Sequence, residues 1–246
     1  MSTRARWLAV AVALAVAAGT TVAASAGNGG LATYQVTITN LTGGQALTPP
    51  LLATHRRPLH VFEVGAPASF GVKEIAENGN LAPLAAALGA QEHVSAVVTG
   101  TAPLVPAANP GGTPFTDSVT LAITADRGAK YLSWVSMLIC TNDGFTGVDS
   151  LRLPQKVGDT AEVSTAGYDA GTEVNTEKFT DIVPPCQLLI NGINSPVGGT
   201  GTSNPALAEG GVIHHHTGIQ GGVGDLSFAT HGWTDPVATI EVTRVG

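Results

Sequence analysis

The sequence predicts an all-β protein, an antiparallel β-sandwich with long loops and one or two short helices. The 246 residues include 31 Gly and 15 Pro, both of which interrupt helices. Val, Ile and Thr recur in short runs, as is typical of strands. The first and the last of these runs alternate apolar and polar residues, and runs of this kind separated by loops favour a sandwich.

Five segments carry a strand pattern. Residues 132–139, LSWVSMLI, are apolar almost throughout, which predicts a central strand covered on both faces. We expect Trp134 in this strand to lie in the core and Trp233, beside a turn, to be partly exposed. Residues 93–99 form a weaker candidate strand. The alternating segments, each expected to bury one face, are 34–40, 119–124 and 237–245.

Helix signals are few and short. Residues 72–80 read as one or two turns ended by a glycine, and residues 81–88 are rich in Ala and Leu but contain a proline. Residues 105–114 and 195–206 are Gly/Pro loops. We interpret residues 60–69 as a strand edge that enters the first helix.

The first 26 residues predict a secretory signal peptide. Two arginines precede an apolar run at 7–18, and small residues end at Ala26. The run is shorter than the ~20 residues of a membrane span, and no later stretch qualifies. We expect an exported protein, secreted, periplasmic or associated with the cell surface; an uncleaved N-terminal anchor is the alternative. No linker, charge run or repeat divides residues 27–246, which predicts one domain.

Charge and motifs exclude several function classes. Removing the two arginines of the leader leaves nine Lys+Arg against 18 Asp+Glu, a balance of −9. Such a surface repels nucleic acid and anionic lipid and is compatible with cations. His60 and Glu63 could serve as general bases, but no Gly-x-Ser-x-Gly, His-Glu-x-x-His or phosphate-loop motif is present. We therefore expect no catalytic residues.

The two cysteines predict a disulfide. Cys140 and Cys186 both lie in the mature part, and an even count in an exported chain indicates pairing. Closing so long a loop stabilises a fold by ~4 kcal/mol in the chain-entropy model. Two free thiols or a cysteine-containing metal site are the alternatives.

Two acidic segments predict a cation site. The segment GYDAGTEVNTE sets Asp169 and Glu173 four positions apart around Gly171, whose backbone freedom lets both side chains face one point. The segment CTNDGFTGVDS supplies Asp143 directly after the central strand. Calcium takes six to eight oxygens from such irregular loops. On the pattern alone, ordinary turn residues remain the alternative.

A histidine run gives a competing metal signal. On a strand, His214 and His216 point to the same face and could bind zinc or copper with His231 as a third ligand. The alternative is a solvated or hydrogen-bonded histidine cluster in a loop.

Four blocks of sequence resemble, in order, the spondin N-terminal domain, the extracellular-matrix module of F-spondin and mindin, which also has bacterial relatives. The likeness spans most of residues 34–245. Its most specific parts are the pattern S-M-x-x-x-x-x-D-x-F-x-G-V-D-S-L and the segment D-A-G-T. The four blocks are YQVTITNLT near the mature start, PASFGVKEIAENG at 67–79, LSWVSMLICTNDGFTGVDSL at 132–151 and GYDAGTE at 167–173.

The resemblance implies a fold, a ligand and a role. The fold is a β-sandwich related to the calcium-dependent lipid-binding domains of the protein kinase C type. One calcium ion is held by the residues aligned with the family's carboxylates, Asp143, Asp169 and Glu173. Two positions depart from the family, since Glu173 replaces an aspartate and Gly144 replaces a tryptophan.

The implied role is adhesion or matrix binding without catalysis, with an extracellular protein or glycan as partner. Two other functions stay open at this point. One is a secreted metal-handling protein or metalloenzyme centred on His214, His216 and His231. The other is a structural component of a cell surface or biofilm.

Overall fold

Two antiparallel sheets form the protein, as the sequence predicts. The computed structural model describes residues 30–192 and 198–246, so the predicted signal peptide lies outside the described residues. The smaller sheet has four strands, in the order β4 (Ser118–Ala125), β1 (Ala32–Asn40), β10 (Ala238–Arg244) and β7 (Thr160–Thr165). The larger sheet has six, in the order β3 (Val94–Thr99), β2 (Leu51–His55), β5 (Tyr131–Met137), β6 (Gly144–Arg152), β8 (Gly167–Asp169) and β9 (His214–His215).

The predicted alternation in the first and last strands is confirmed. The two strands pair with each other, and their apolar residues lie opposite one another. Val36 lies opposite Val242, and Ile38 lies opposite Ile240, all four being fully buried. Branched side chains facing one another across neighbouring strands stabilise such a sheet. The two ends of the described chain thus form the centre of the four-stranded sheet.

Strand β5 is the predicted central strand. Its residues from Leu132 to Met137 are buried, and Trp134 has no exposed surface. One helix, α1 (Phe70–Asn78), packs against β5. This contact explains why β5 lacks the alternation of a half-buried strand.

The helices obey local capping rules. The α1 helix begins after Ser69, whose hydroxyl accepts the Val72 N–H, and ends at Gly79 in the left-handed conformation. In α2 (Ala82–Gly89) the proline lies in the first turn, where its missing N–H removes no helical bond. These two helices confirm the predictions. Two further helices were not predicted, α3 (Pro185–Asn191) and α4 (Phe228–His231).

Two expectations are corrected. Residues 60–69 contain no strand; His60 instead pairs with Asp149, with 2.7 Å between Nδ1 and Oδ2. Trp233 is 7% exposed rather than partly exposed. Its indole lies against Gly167, where a Cβ would come within 2.9 Å of the ring, so the glycine makes room for the tryptophan.

The predicted disulfide is present. Cys140 and Cys186 are joined and buried. The bond connects the turn after β5 to helix α3. It therefore fixes the start of the acidic segment that contains Asp143.

Candidate metal centre

The two acidic segments meet at one edge of the six-stranded sheet. Strand β6 begins directly after Asp143, and β8 ends at Asp169. These strands pair antiparallel, with Gly144 opposite Asp169. The start of one strand and the end of the other therefore lie side by side, and the Ala170 N–H donates to the Asp143 carbonyl at 3.1 Å.

The turn before β6 is held by its own side chains. The Thr141 hydroxyl donates to the Leu138 carbonyl at 2.6 Å and accepts the Gly144 N–H at 2.8 Å. A Cβ on Gly144 would collide with the Thr141 side chain. This contact explains why position 144 carries no tryptophan here.

Asp143 organises the second acidic segment through one oxygen and leaves the other unpaired. Its Oδ2 accepts the N–H groups of Thr172 and Glu173, at 2.7 and 3.0 Å, and the Thr172 hydroxyl at 3.2 Å. Its Oδ1 is buried and has no hydrogen-bond partner. A buried carboxylate oxygen without a partner is unfavourable unless something else binds it.

Asp169 is buried beside Asp143. Its Oδ1 accepts the Gly171 N–H at 2.8 Å, and its Oδ2 accepts the Asn175 side-chain amide at 2.6 Å. Gly171 has a positive φ, and a Cβ there would lie 2.6 Å from the backbone of Val212. The glycine is thus required for the tight path of the segment.

Glu173 is also buried, but its side chain has different neighbours. Its Oε1 accepts the Asn204 N–H at 2.9 Å. The side chain lines a cavity that it shares with Glu77 on α1. Glu173 therefore supports Asp143 through its backbone and faces a second acidic residue with its carboxylate.

The electrostatics of the cluster are unbalanced. Burial raises the pKa of Asp143 to about 6, and the Asp169 charge adds to this. Burial likewise raises the pKa of Glu173 to about 7, helped by the charges of Glu77 and Asp143. In the part of the chain that the structure describes, no Lys or Arg forms an ion pair with Asp143, Asp169 or Glu173. The cluster thus concentrates negative charge that no Lys or Arg ion pair among the described residues balances.

The carboxylates do not form a ready-made cage. Within residues 30–192 and 198–246, no group of three or more His, Cys, Asp or Glu side chains is placed to hold a metal ion. Backbone and amide groups occupy the oxygens of Asp169 and one oxygen of Glu173. A calcium site is still compatible with this arrangement, because calcium draws many of its six to eight oxygens from backbone carbonyls and amides. The unpaired Asp143 Oδ1 is the oxygen that such an ion would bind first.

The three candidate histidines lie in different settings. His214 is in β9 with its side chain half exposed, and its Nδ1 is 3.8 Å from Asp169 Oδ1. His216 lies beyond the end of β9 and packs on Trp233, with ring centres 5.0 Å apart. His231 is buried in α4. Because β9 covers only residues 214–215, the same-face argument from a longer strand does not apply.

Hydrogen bonding sets the tautomers of two of these rings. Nδ1 of His216 accepts the Gly218 N–H at 2.9 Å, and Nδ1 of His231 accepts the Ser227 N–H at 3.2 Å. Burial lowers the pKa of both, which favours the neutral form. A neutral ring that accepts at Nδ1 carries its proton at Nε2 and offers no lone pair there for a metal.

Fold and site together define a class, an antiparallel β-sandwich with buried carboxylates gathered at one edge of its larger sheet. The Spondin_N family model matches residues 45–189, more than half of the chain. The protein therefore belongs to the spondin N-terminal domain family. A search of curated proteins finds no match.

The matched segment runs from before β2 to within α3 and contains Asp143, Asp169 and Glu173. The family is consistent with an extracellular domain of the adhesion or matrix type. The disulfide agrees with a secreted protein. No helix among the described residues is long and apolar enough to cross a membrane.

Proposed function

We propose that the protein is a secreted, non-catalytic adhesion or matrix-contact domain that binds one calcium ion. Asp143, Asp169 and Glu173 are its carboxylate ligands. The observation that carries this proposal is the buried, unpaired Oδ1 of Asp143, next to a second carboxylate and without a basic partner. A divalent cation is the simplest group that removes both penalties at once.

The ion would act on the edge of the sheet rather than on a substrate. Asp143 precedes β6, and Asp169 ends β8, so one ion contacting both would tie the two segments together. Calcium binding to the folded state alone stabilises it by about 2.7 kcal/mol when the ion is present at 100 times its dissociation constant. The stiffened edge then presents a defined surface to an extracellular protein or glycan.

The decisive experiment is thermal unfolding of residues 27–246 after chelation, with calcium and zinc added separately. We expect calcium to raise the melting temperature by about 5–10 °C, given the linkage gain and the size of the domain. The Asp169→Asn variant should lose most of this shift. Asp159→Asn is the matched control, because Asp159 is exposed and lies in the loop between β6 and β7.

The opposite results are equally informative. An undiminished calcium shift in Asp169→Asn would remove this residue from the site. A shift with zinc but not with calcium, lost in His214→Ala, would move metal binding to the histidines and leave the family membership as a statement about fold.

A further inference from the structure

A second acidic feature lies next to the candidate metal centre. It is a cavity of about 360 Å³ between the end of α1 and residues 198–205, which we call the Glu77 cavity. Its charged lining residues are Glu77, Glu173 and Asp181, and Thr, Ser, Asn and Gly supply much of the rest. The volume falls in the range of sites that bind small molecules or single side chains.

Glu77 occupies an unfavourable position for a carboxylate. The residue is 4% exposed, and neither of its side-chain oxygens has a hydrogen-bond partner. It also lies in the last turn of α1, where the helix dipole is negative. The carboxylate is therefore buried without the hydrogen bonds that such a group needs, and the end of the helix supplies no positive partner.

Lys73 compensates the buried carboxylate of Glu77 only in part. Lys73 Nζ lies 3.6 Å from Glu77 Oε1, which is beyond hydrogen-bond distance. Lys73 precedes Glu77 by one turn, the weaker order for such a pair in a helix, and it does not line the cavity. In the described part of the chain, Glu77 Oε2 has neither a hydrogen bond nor an ion pair.

An apolar cavity lies beside the Glu77 cavity. A neighbouring space of about 280 Å³ shares Asn78, Val183 and Gly201 with the Glu77 cavity. Its lining is mainly apolar, with Met137 and Ile139 among the contacts. A bare metal ion would use little of a cavity of about 360 Å³, whereas a long aliphatic side chain ending in a positive charge would fill more of it. An apolar residue next to that side chain in the partner would then lie near the second cavity.

We propose that the Glu77 cavity binds a basic side chain, the ammonium of a lysine or the guanidinium of an arginine, on an extracellular polypeptide. The neighbouring apolar cavity receives an adjacent apolar side chain of the same partner. The identity of the partner as an adhesion ligand rests on the proposed function above. Recognition of the basic side chain does not require calcium.

The test uses two small probes whose termini are blocked and uncharged, Nα-acetyl-lysine amide and its neutral analogue Nα-acetyl-norleucine amide. Each is titrated into residues 27–246, and binding is followed by NMR. The lysine probe should bind saturably, and the norleucine probe at least about tenfold more weakly, as expected for loss of a charge-assisted bond. Glu77→Gln should weaken lysine binding by a similar factor. Glu92→Gln, the same change at an exposed residue after α2, should have no effect.

A second variant guards against misfolding of the first. Thr202 lines the cavity and is exposed, so Thr202→Lys places a competing ammonium at the cavity while Glu77 stays intact. This variant should also lose the lysine probe. Equal binding of the two probes, or unchanged lysine binding in both variants, would overturn the proposal.

Calcium separates this proposal from the previous one. The titrations are repeated with calcium and with chelator, and with Asp169→Asn. If Asp169→Asn loses the calcium shift and keeps the lysine probe, both proposals stand. If the probe fails while the calcium shift persists in Glu77→Gln, only the cavity proposal fails. Loss of the calcium shift in Glu77→Gln without lysine binding in the wild type would make the cavity a metal site and likewise overturn it.

Discussion

Asp143 carries its charge where burial and a second carboxylate both oppose it, yet three donors fix its position. The Thr172 and Glu173 N–H groups and the Thr172 hydroxyl all bond Oδ2, which leaves Oδ1 for another ligand. A neutral amide could keep the bonds to Oδ2 without the charge. The charge of Asp143 therefore has opposite effects on two properties. It lowers the stability of the ion-free fold and it favours binding of an ion.

This separation predicts opposite effects of one substitution. In chelator at pH 8, Asp143→Asn should stabilise the fold by roughly 1–3 kcal/mol, because it removes a buried like-charge contact. In excess calcium, the same variant should be less stable than the wild type, because it has lost a ligand. Chemical denaturation in both conditions measures the two signs, and destabilisation in chelator would contradict the first.

The pH dependence follows from the raised pKa of Asp143. The unfolded residue titrates near 3.8 and the folded one near 6, so the folded state binds more protons between these values. Without calcium, stability from this group is therefore lost as pH rises from about 4 to about 7. The advantage of Asp143→Asn in chelator should be small at pH 4.5 and full at pH 8.

Three histidines act in the opposite direction. Burial lowers the pKa of His55, His216 and His231, so protonation below pH 6.5 destabilises the folded state. The wild type and the Asp143→Asn variant both contain these histidines, so the effect of the histidines cancels in the difference in stability between the two. A difference that does not change with pH would exclude the buried charge of Asp143 as its source.

The residues of the candidate site differ in how far sequence could predict them. Asp143, Asp169 and Glu173 stand in segments that resemble a known family, and the structure brings both segments to one edge. Glu77 gave no signal, because Lys73 and Glu77 one turn apart look like an ordinary surface pair on a helix. The burial of that carboxylate depends on tertiary packing around the end of α1, which helix periodicity does not show.

At the scale of elements, the disulfide braces the turn that carries Asp143. It links Cys140 to Cys186 across 46 positions of sequence. Replacing both cysteines by alanine should destabilise the protein by about 4 kcal/mol in the chain-entropy model. The melting temperature should then fall by roughly 10 °C.

Scanning calorimetry of the double variant and of the reduced wild type provides the check, and the two should agree. A melting temperature equal to that of the oxidised wild type would show that the bond does not stabilise the native state.

The strands divide by the signal they carry. β1, β4 and β10 alternate over seven residues or more, and periodicity finds them. β8 and β9 have three and two residues, too few to show a period. In β6, a Cβ at position 147 would collide with the Trp134 carbonyl, so this position carries glycine. Because glycine is not typical of strands, it weakens the strand pattern of β6. β2 is buried along its whole length and does not alternate.

At the scale of the molecule, the family match and the folding unit differ. Residues 45–189 include neither β1 nor β10, the two middle strands of the four-stranded sheet. Sequence alone could not show this, because strand order depends on contacts between residues some 200 positions apart.

We therefore predict that residues 45–189 expressed alone do not fold. Without β1 and β10, the outer strands β4 and β7 have no partner in their sheet, and the core face of the other sheet is exposed. Residues 27–246 are the control. Dispersed amide NMR signals and a cooperative melt from the shorter segment would contradict this.

The pairing of β1 with β10 also orders events in time. Thr39 lies opposite Thr239, so β10, the partner of β1 in the middle of the sheet, is synthesised some 200 residues after β1. Contacts of such long sequence separation form slowly, because the intervening loop must close first. The four-stranded sheet is therefore completed only after β10 has been synthesised, so this half of the sandwich is assembled late.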